Sequence, residues 1–440
     1  MLYASVVVGQ QPLSLEEAIA IGLDKSIPAK IAEKQIEIAE NNNIKANTGT
    51  NPSLSLNASI PFSFNKTFGD RFFTFGVVPG DSRVNYNETE QVSIDGFWPI
   101  YTGGRGKLIK EQLDLAVDQS RISLDGEQQR TVLEIIQSYY SIVLQQEQLE
   151  VLHELIKLSK DRVEFETLKK EFGTSNGFNI IQLEDALLND SISIVNQNMQ
   201  IDLAMRSLLD IMNESVDVNQ YVVTDKLEFV PEVLDSEMLL TVLLANNNDL
   251  TALELNKKLA EANAKLQSTQ RKPTISANGS FGLNRNASGF FGTNPMTGID
   301  LPLSVTRGYG LNLGVTASYN LIDGGLVKSN IANAKLEQEI ANLTYEDVKT
   351  DFEIQLLNLI DTYNTNISLL AITEEKLVLA KENIKIAEER FRSGAINSFD
   401  YRNIQLTLLN TSFTRLSILY DLIVTKSNID WLTGEYNQMN

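Results

Sequence analysis

The sequence predicts an α+β protein made of two copies of one unit: a helix, two strands, a very long helix and a last helix. Three observations predict it: an internal repeat, two unusually long helical stretches, and strands with one apolar face. The 440 residues suffice for one elongated unit or for two or three ordinary domains. Apolar residues make up 42% of the chain, which excludes a disordered protein.

The internal repeat has an offset of 221 residues and needs no gap between residues 33 and 410. Pro52 aligns with Pro273, Gly103-Gly104 with Gly324-Gly325, and Gly173 with Gly394. Because proline and glycine mark the boundaries of helices and strands, their alignment favours a duplication. The predicted organisation is an N-terminal segment 1–13, a first repeat 14–213, a linker 214–232, a second repeat 233–434 and a tail 435–440. The apolar start of the N-terminal segment suits either a signal-peptide remnant or an ordinary chain end.

The helical stretches of each repeat are predicted at matching places. They are an opening helix (14–46 and 235–270), a very long helix (104–172 and the stretch ending at 393) and a last helix (179–213 and 399–434). The stretch 104–172 would span roughly 100 Å at about 1.5 Å per residue. Apolar residues recur every seventh position within it, at Ile135, Ile142, Leu149, Ile156 and Val163. A seven-residue repeat predicts coiled-coil packing, and a plain antiparallel coiled coil is the alternative interpretation.

Four stretches alternate apolar and polar residues with a period of two: 53–64, 92–101, 274–284 and 308–321. Such alternation predicts strands with one apolar face, and about 9–11 residues suit a tilted strand that crosses a bilayer. The polar faces are Ser, Asn, Thr and Gly, which favours a water-filled lumen over an ordinary solvent-exposed face. Trp98 and Tyr319 are equivalent in the repeat and are predicted to lie at a membrane interface. The alternative is a soluble four-stranded sheet packed on a core.

The segments between paired strands, 65–88 and 285–307, show no sustained periodicity and are predicted to be long loops. All helices would then lie at the other end of the strands. Four strands cannot close a barrel, and lipid does not tolerate open sheet edges, so each chain is expected to supply part of a shared barrel. An eight-stranded barrel is filled by side chains, so a conducting barrel needs at least three chains.

The composition argues against several classes of function. There is no cysteine and a single histidine, His153, so neither a disulfide framework nor a His/Cys metal site can be built. A formal net charge of −20 repels nucleic acid. No Ser-His-Asp arrangement, metal-ligand spacing or phosphate-binding loop is found, so neither an enzyme nor a bound cofactor or metal is expected.

Three segments together resemble the TolC-type outer-membrane efflux protein family. They are Glu389-Arg390-Phe391-Arg392-Ser393-Gly394-Ala395-Ile396-Asn397-Ser398-Phe399-Asp400, Tyr101-Thr102-Gly103-Gly104 and Leu321-Ile322-Asp323-Gly324-Gly325. The resemblance covers residues 14–434. It implies a homotrimer in the bacterial outer membrane, with a twelve-stranded barrel continued by a long periplasmic α-helical barrel. It also implies a passive exit duct of a tripartite efflux or type I secretion system, with a periplasmic adaptor and an inner-membrane transporter of the RND or ABC type as partners.

The resemblance also implies roles for individual residues. Gly173, Gly394, Phe178 and Phe399 would form the turns at the periplasmic tip, where the family docks the adaptor. Asp400 would belong to an acidic ring at the tunnel constriction, where Asn403 and, in the first repeat, Asn179 depart from the acidic pattern. The alternative for Asp400 is a carboxylate that a helix N-terminus favours. The rival functions are a non-conducting coiled-coil protein with a small sheet and a soluble receptor-type binding module; the polar lumen-facing residues indicate no particular substrate.

Overall fold

The computed structural model describes residues 11–73, 76–215, 217–291 and 303–436. Two compact units are distinguished. The helical unit comprises Met1–Ile38, Asp118–Asn256 and Ala341–Asn440, and the strand unit comprises Ala39–Val117 and Lys257–Ile340. Residues 1–10 of the predicted N-terminal segment lie outside the described residues.

The described residues form seven strands and eight α-helices. The strands are β1 (Gln11–Leu13), β2 (Ser53–Ser59), β3 (Phe62–Phe73), β4 (Gly76–Tyr101), β5 (Tyr221–Val223), β6 (Thr274–Phe291) and β7 (Ser304–Ser318). The helices are α1 (Leu15–Lys25), α2 (Ile27–Asn42), α3 (Arg105–Glu171), α4 (Gly177–Ile211), α5 (Ser236–Asn246), α6 (Asn248–Ser268), α7 (Leu326–Arg392) and α8 (Ser398–Thr433). Among the described helices, none is both long enough and apolar enough to cross a membrane.

The strand unit contains one antiparallel sheet in which β4 is flanked by β2 and β3 on one side and by β6 on the other, followed by β7. The strands β2 and β3 form a single line along β4, because Ser59 pairs with Gln91 and Phe62 with Glu88 in an unbroken register. The interruption falls at Ile60-Pro61, where proline lacks the backbone donor that a ladder requires. The four predicted strands are therefore present, with the first one interrupted.

The prediction of long loops at 65–88 and 285–307 was wrong over most of both segments. The strand β3 continues to Phe73 and β4 begins at Gly76, while β6 extends to Phe291 and β7 begins at Ser304. The two faces of these segments do not differ consistently in polarity, so no alternation reveals them. Their backbone groups are paired across the ladders instead, and such pairing outweighs weak local propensity. Residues 74–75 and 292–302 lie outside the described residues.

The apolar face of the sheet is exposed in the single chain. One row of paired residues runs across it, from Leu56 to Ile94, Phe281 and Leu311. Their exposed fractions are 73%, 44%, 45% and 65%, so this face has no covering layer within the described chain. A soluble sheet would bury such a face against a core, which makes the alternative of a soluble sheet hard to maintain.

The two long helices agree with the prediction, and each of α3 and α7 has 67 residues. The two opening helices do not, because each is divided: α1 and α2 meet at Ser26, and α5 and α6 meet at Asn247. Both residues leave the helical conformation, with ψ angles of 118° and 122°, and cap the helix that follows. The Ser26 hydroxyl accepts a hydrogen bond from the amide of Ala29 (3.2 Å), and the Asn247 side chain accepts one from the amide of Leu250 (2.9 Å).

The helical unit is held together by one large apolar core. The heptad residues Ile135 and Ile142 are fully buried in it, as are Leu208 and Leu422 of other helices. The linker joins this core through β5, which pairs in parallel with β1. The buried Tyr139 hydroxyl donates to Leu13 O and lies 2.8 Å from Asp225 Oδ2, so α3 is tied to both segments.

Candidate functional site: two helix turns and the apolar strand face

The two long helices end in the same type of turn, at Gly173 and Gly394. Their φ angles are +72° and +78°, in the left-handed region that glycine adopts without strain. The amide of Gly394 donates to Phe391 O and that of Ala395 to Arg390 O, at 3.1 and 2.8 Å. This pair of bonds is a Schellman motif, and the turn at Gly173 repeats it. The structure therefore explains both glycines as helix C-caps.

Each turn leads into a helix that an asparagine caps. The Asn397 side chain accepts from the amide of Asp400 (2.9 Å), and the Asn176 side chain accepts from the amide of Asn179 (3.0 Å). Asp400 is exposed in the first turn of α8, where its charge is favoured by the helix dipole. Asn403 is also exposed and, three residues further on, lies on the same side of the helix.

The aromatic residues predicted at the turns are exposed. Phe178 is 66% and Phe399 is 72% accessible, and neither forms part of an apolar cluster within the described chain. Such exposed aromatic side chains are typical of surfaces that contact a partner. Whether these residues dock an adaptor stays a prediction.

A buried ionic network close to α8's first turn was not anticipated from the sequence. The Arg402 guanidinium donates two hydrogen bonds to the Asp190 carboxylate, which also accepts from the Ser159 hydroxyl at 2.7 Å. Three helices, α3, α4 and α8, are thereby joined. The Asp190 side chain is only 5% exposed, so the pair is largely removed from water. Buried pairs of this kind are costly to break, because the remaining charge is left without compensation.

A second arginine lies beside this pair. Arg162 of α3 is 2% exposed and donates from Nη1 to the Gln405 side chain at 2.8 Å. Burial, and after it the positive charge of Arg402, lower the pKa of Arg162 to about 10. The aromatic rings of Phe391 and Tyr401 stack 5.1 Å apart next to it, and Phe165 completes the group.

The network could have been noticed as a departure from the repeat. The positions equivalent to Arg162, Asp190 and Arg402 at the 221-residue offset are Asn383, Thr411 and Ile181. At each of these three positions, the charge is therefore present in only one of the two aligned segments. The seven-residue apolar spacing does not reveal the ionic network, because Arg162 directly precedes the apolar heptad residue Val163.

In the strand unit, aromatic residues bound the apolar face at one end of the strands and charged residues bound it at the other. Trp98 and Tyr319 are half-exposed at the helix-proximal end, and Tyr319 directly follows β7. At the other end, Glu90 pairs with Arg285 and Arg285 with Arg307 in the register, and Arg285 Nη1 lies 2.9 Å from Glu90 Oε1. These charged residues have the same strand parity as the apolar ones, so they lie on the same face.

The distance between these limits suits a bilayer. The apolar side chains of β7 and its end run from Tyr309 to Tyr319, ten residues along the strand. At about 3.3 Å per residue this is roughly 33 Å, and a tilt of about 45° reduces it to roughly 23 Å. The apolar band of outer-membrane barrels is about 25 Å tall. An aromatic row at one limit and a charged row at the other are typical of such a band.

Among residues 11–73, 76–215, 217–291 and 303–436, no three His, Asp or Glu side chains are arranged to hold a metal ion. His153 is an exposed residue of α3.

Comparison with known families agrees with this geometry. The profile of the family described as outer membrane efflux protein matches residues 239–435. The matched range corresponds to the predicted second repeat. The family resemblance drawn from the residue motifs is thereby confirmed. No curated protein sequence matches this chain significantly.

Solved structures of outer-membrane channels share the fold of this chain. VceC, an outer membrane protein of Vibrio cholerae, is 14% identical with a TM-score of 0.75, and the match covers 96% of each chain. The CmeC outer membrane channel of Campylobacter jejuni is 16% identical with a TM-score of 0.75, covering 96% of this chain and 85% of that one. The MtrE outer membrane channel of Neisseria gonorrhoeae, solved in its open state, is 16% identical with a TM-score of 0.70, covering 96% and 88%. At these identities the likeness establishes the fold.

Proposed function

We propose that this chain is one protomer of an outer-membrane exit duct through which substrates leave the cell without covalent change. The observation that carries the proposal is the exposed apolar band, limited by aromatic and charged rows, on a sheet with two open edges. Water would not tolerate the apolar face, and lipid would not tolerate the edges. Both requirements are met when several chains close one barrel in a membrane.

Three protomers would complete the barrel with twelve strands. Eight strands, from two protomers, would leave an interior filled by side chains. Two structural repeats per protomer are supported by the helix bounds, because Arg105 and Glu171 at the ends of α3 lie 221 residues before Leu326 and Arg392 at the ends of α7. We accordingly propose repeats at 14–213 and 233–434, with the long helices forming a periplasmic tunnel.

The face opposite the apolar band would line the lumen. Its polar side chains bond to one another: Asn57 donates to the Asp95 carboxylate at 2.6 Å and Ser93 donates to it at 2.8 Å. Asp95 gives each protomer a negative charge on this face, and the whole chain carries a net charge of −20. A lumen of this kind would favour cations over anions.

The turns at Gly173 and Gly394 would form the periplasmic tip. There Phe178 and Phe399 would contact the periplasmic adaptor, and Asp400 would contribute one carboxylate of the constriction. The adaptor would connect the duct to an inner-membrane transporter of the RND or ABC type. The family assignment and the exposed position of these side chains support the proposal.

The experiment that tests this function is mass measurement of the detergent-purified protein, followed by conductance in a planar bilayer. A trimer that forms cation-preferring channels is expected. A detergent-independent monomer without conductance would require the duct to be abandoned in favour of the coiled-coil protein with a small sheet.

Two neighbouring residues of β7 provide matched variants, because Leu313 lies on the apolar face and Asn312 on the polar face. Leu313→Arg would place a charge against lipid, which costs about 2–4 kcal/mol at the bilayer midplane, and should prevent insertion. Asn312→Arg should insert normally and lower the preference for cations. Equal insertion of both variants would contradict the assignment of the two faces.

A further inference from the structure

Two arginines lie side by side at the charged end of the apolar band. Arg285 of β6 and Arg307 of β7 are directly opposite each other in the ladder, on the apolar face of the sheet. The Cβ atoms of such a pair are about 4.5–5.5 Å apart, and like charges directly opposite each other destabilise a sheet. The pair therefore favours a negatively charged group that contacts both guanidinium groups.

Carboxylates of the chain itself reach only one of these arginines. Arg285 Nη1 lies 2.9 Å from Glu90 Oε1 and 3.9 Å from Glu88 Oε2. Both glutamates belong to β4, and β6 separates β4 from β7. Arg307 is exposed, and within the part of the chain that the structure describes it forms no ion pair. Its guanidinium group is therefore available to an anion from outside the chain.

The described side chains beyond the band carry a small excess of positive charge on this face. They comprise three cations and two carboxylates: Lys66, Arg285, Arg307, Glu88 and Glu90. One positive charge thus remains, although acidic groups outnumber basic ones by 20 in the whole chain. This surface suits an anionic ligand.

The depth of Arg307 matches that of a lipid headgroup. Arg307 lies two residues beyond Tyr309, where the apolar band of β7 ends. At about 3.3 Å per residue and a tilt of about 45°, it is roughly 5 Å outside the band. The headgroup layer of one leaflet is about 5–8 Å thick, so Arg307 lies within it. The helices α3 and α7 begin close to the other end of β4 and β7, which makes this the outer leaflet of the proposed duct.

Apolar side chains continue on the same face beyond the charged residues. Val305 is 48% exposed and, by the same geometry, roughly 9 Å outside the band. Phe62 of β3 lies in the same ladder row and is 61% exposed. Phe64 is 63% exposed, and its ring lies 5.3 Å from that of Tyr86.

These apolar side chains indicate a headgroup that extends beyond its phosphate. A leaflet of phospholipids would end below them and leave them in contact with water, which disfavours an exposed apolar patch. Sugar rings have apolar C–H faces that pack on aromatic rings. A headgroup that contains both phosphate and sugar would therefore contact the arginines and the phenylalanines together.

We propose that Arg307, with Arg285 beside it, binds a phosphate group of a glycolipid in the outer leaflet, and that Phe62 and Phe64 contact the sugar rings of that lipid. The inference rests on the proposed function, because it requires the apolar band to lie in the membrane. Arginine suits this role, since its planar guanidinium group donates two parallel hydrogen bonds to a phosphate. One phosphate shared by the two arginines replaces their mutual repulsion by two attractions.

The test measures lipid binding to the detergent-purified full chain by native mass spectrometry. Four probes are compared at equal concentration: lipid A, which is a diglucosamine lipid with two phosphates, the same lipid without its phosphates, dioleoyl phosphatidic acid, and inorganic phosphate. We expect lipid A to bind most tightly, phosphatidic acid less tightly, and the dephosphorylated lipid least of the three lipids. Inorganic phosphate should not displace lipid A, because it lacks acyl chains that cover the apolar band.

Three variants separate the phosphate contact from the sugar contact. Arg307→Gln should weaken the binding of lipid A and of phosphatidic acid at least tenfold. Arg307→Lys should have an intermediate effect, because lysine keeps the charge but not the bidentate geometry. Phe64→Ser should weaken the binding of lipid A at least threefold and leave phosphatidic acid unchanged. The control Lys376→Gln, on an exposed part of α7, should affect neither lipid.

The mass and conductance of each preparation distinguish failure of this site from failure of the duct. Unchanged binding of lipid A by Arg307→Gln, or equal binding of the dephosphorylated lipid, would overturn the phosphate site. Phosphatidic acid that binds as tightly as lipid A, with no effect of Phe64→Ser, would overturn the glycolipid as the ligand. Displacement of lipid A by inorganic phosphate would assign the arginines to a free anion instead. In a conducting trimer, each of these results leaves the duct intact, whereas a monomer without conductance would overturn the duct and this site together.

Discussion

Arg402 of α8 donates hydrogen bonds from both terminal nitrogens to the carboxylate of Asp190 of α4, at 2.5 and 3.0 Å, although the two residues are 212 positions apart. The bidentate geometry fixes the start of α8 against the middle of α4. With Arg162 beside it, the cluster holds two guanidinium groups next to this one carboxylate. The stability of the packing near the tip turn therefore depends on Asp190.

Replacing Asp190 by alanine should loosen this part of the helical unit. The loss leaves the Arg402 charge buried without its partner, which costs about 3–5 kcal/mol. Hydrogen exchange of the amides in residues 177–195 and 398–410 should accelerate accordingly. The double variant Asp190→Leu with Arg402→Met should be less destabilised than Asp190→Ala, because no unpaired charge remains.

The control for this prediction is the exposed pair Lys34–Glu37 of α2, whose side chains are 69% and 59% accessible. Glu37→Ala should leave hydrogen exchange unchanged, because water screens such a pair. Equal effects of Glu37→Ala and Asp190→Ala on hydrogen exchange would show that the buried network contributes no more to stability than an exposed ion pair does.

The charge at the proposed constriction can be changed in both directions. Asp400→Asn should weaken the block of single channels by divalent cations applied from the periplasmic side. Asn403→Asp should strengthen it, because a trimer would gain three carboxylates one helical step from the first ring. Glu16→Gln removes the same charge from α1 and should leave the block unaltered. If neither Asp400→Asn nor Asn403→Asp alters the block, the only role of the Asp400 carboxylate is its favourable interaction with the N-terminus of α8.

Replacing Gly394 by a residue with a side chain should destabilise the turn through its backbone conformation. Its surroundings are open, so Gly394→Ala adds no clash and tests the φ of +78° alone. A left-handed alanine costs about 1–2 kcal/mol, and hydrogen exchange around residues 390–398 should rise. Gly126 in the interior of α3 is equally unobstructed, but there alanine should stabilise the helix by about 0.5–1 kcal/mol. A neutral Gly394→Ala would mean that the turn is not held in this conformation.

Trp98 reports the position of the apolar band. The chain contains two tryptophans, so Trp431→Phe leaves Trp98 as the sole indole fluorophore. At the interfacial end of the band, its fluorescence should be quenched more by lipids brominated near the headgroup than by lipids brominated near the chain end. Quenching by aqueous iodide together with no quenching by any brominated lipid would place Trp98 outside the membrane.

The strands and the long helices were predictable because their residues repeat with the period of the structure they form. Alternation from Leu54 to Phe64 needs only a two-sided strand, and the seven-residue spacing from Ile135 needs only a helix with a packed side. The turns at Gly173 and Gly394 were predictable because glycine tolerates a positive φ. The outer halves of the hairpins were missed because their two faces do not differ in polarity, so only the pairing of their backbones reveals them.

The divided opening helices illustrate another limit. Ser26 and Asn247 end one helix and cap the next, yet each lies in a sequence whose apolar periodicity continues across the break. The capping hydrogen bonds, 3.2 Å to Ala29 and 2.9 Å to Leu250, are local and could have been suspected from Pro28 and from the polar run around Asn247.

The sequence by itself predicted the internal repeat and determined the strand faces and the turn glycines, because each depends on residues close together or related by a constant offset. Only the tertiary structure decided that Asp190, Arg402 and Arg162 form one buried cluster, since burial and distance between remote residues leave no periodic trace. The pairing of β4 with β6 is equally a tertiary fact. It depends on backbone hydrogen bonds between residues that are remote in the chain, and no local pattern encodes such a pairing.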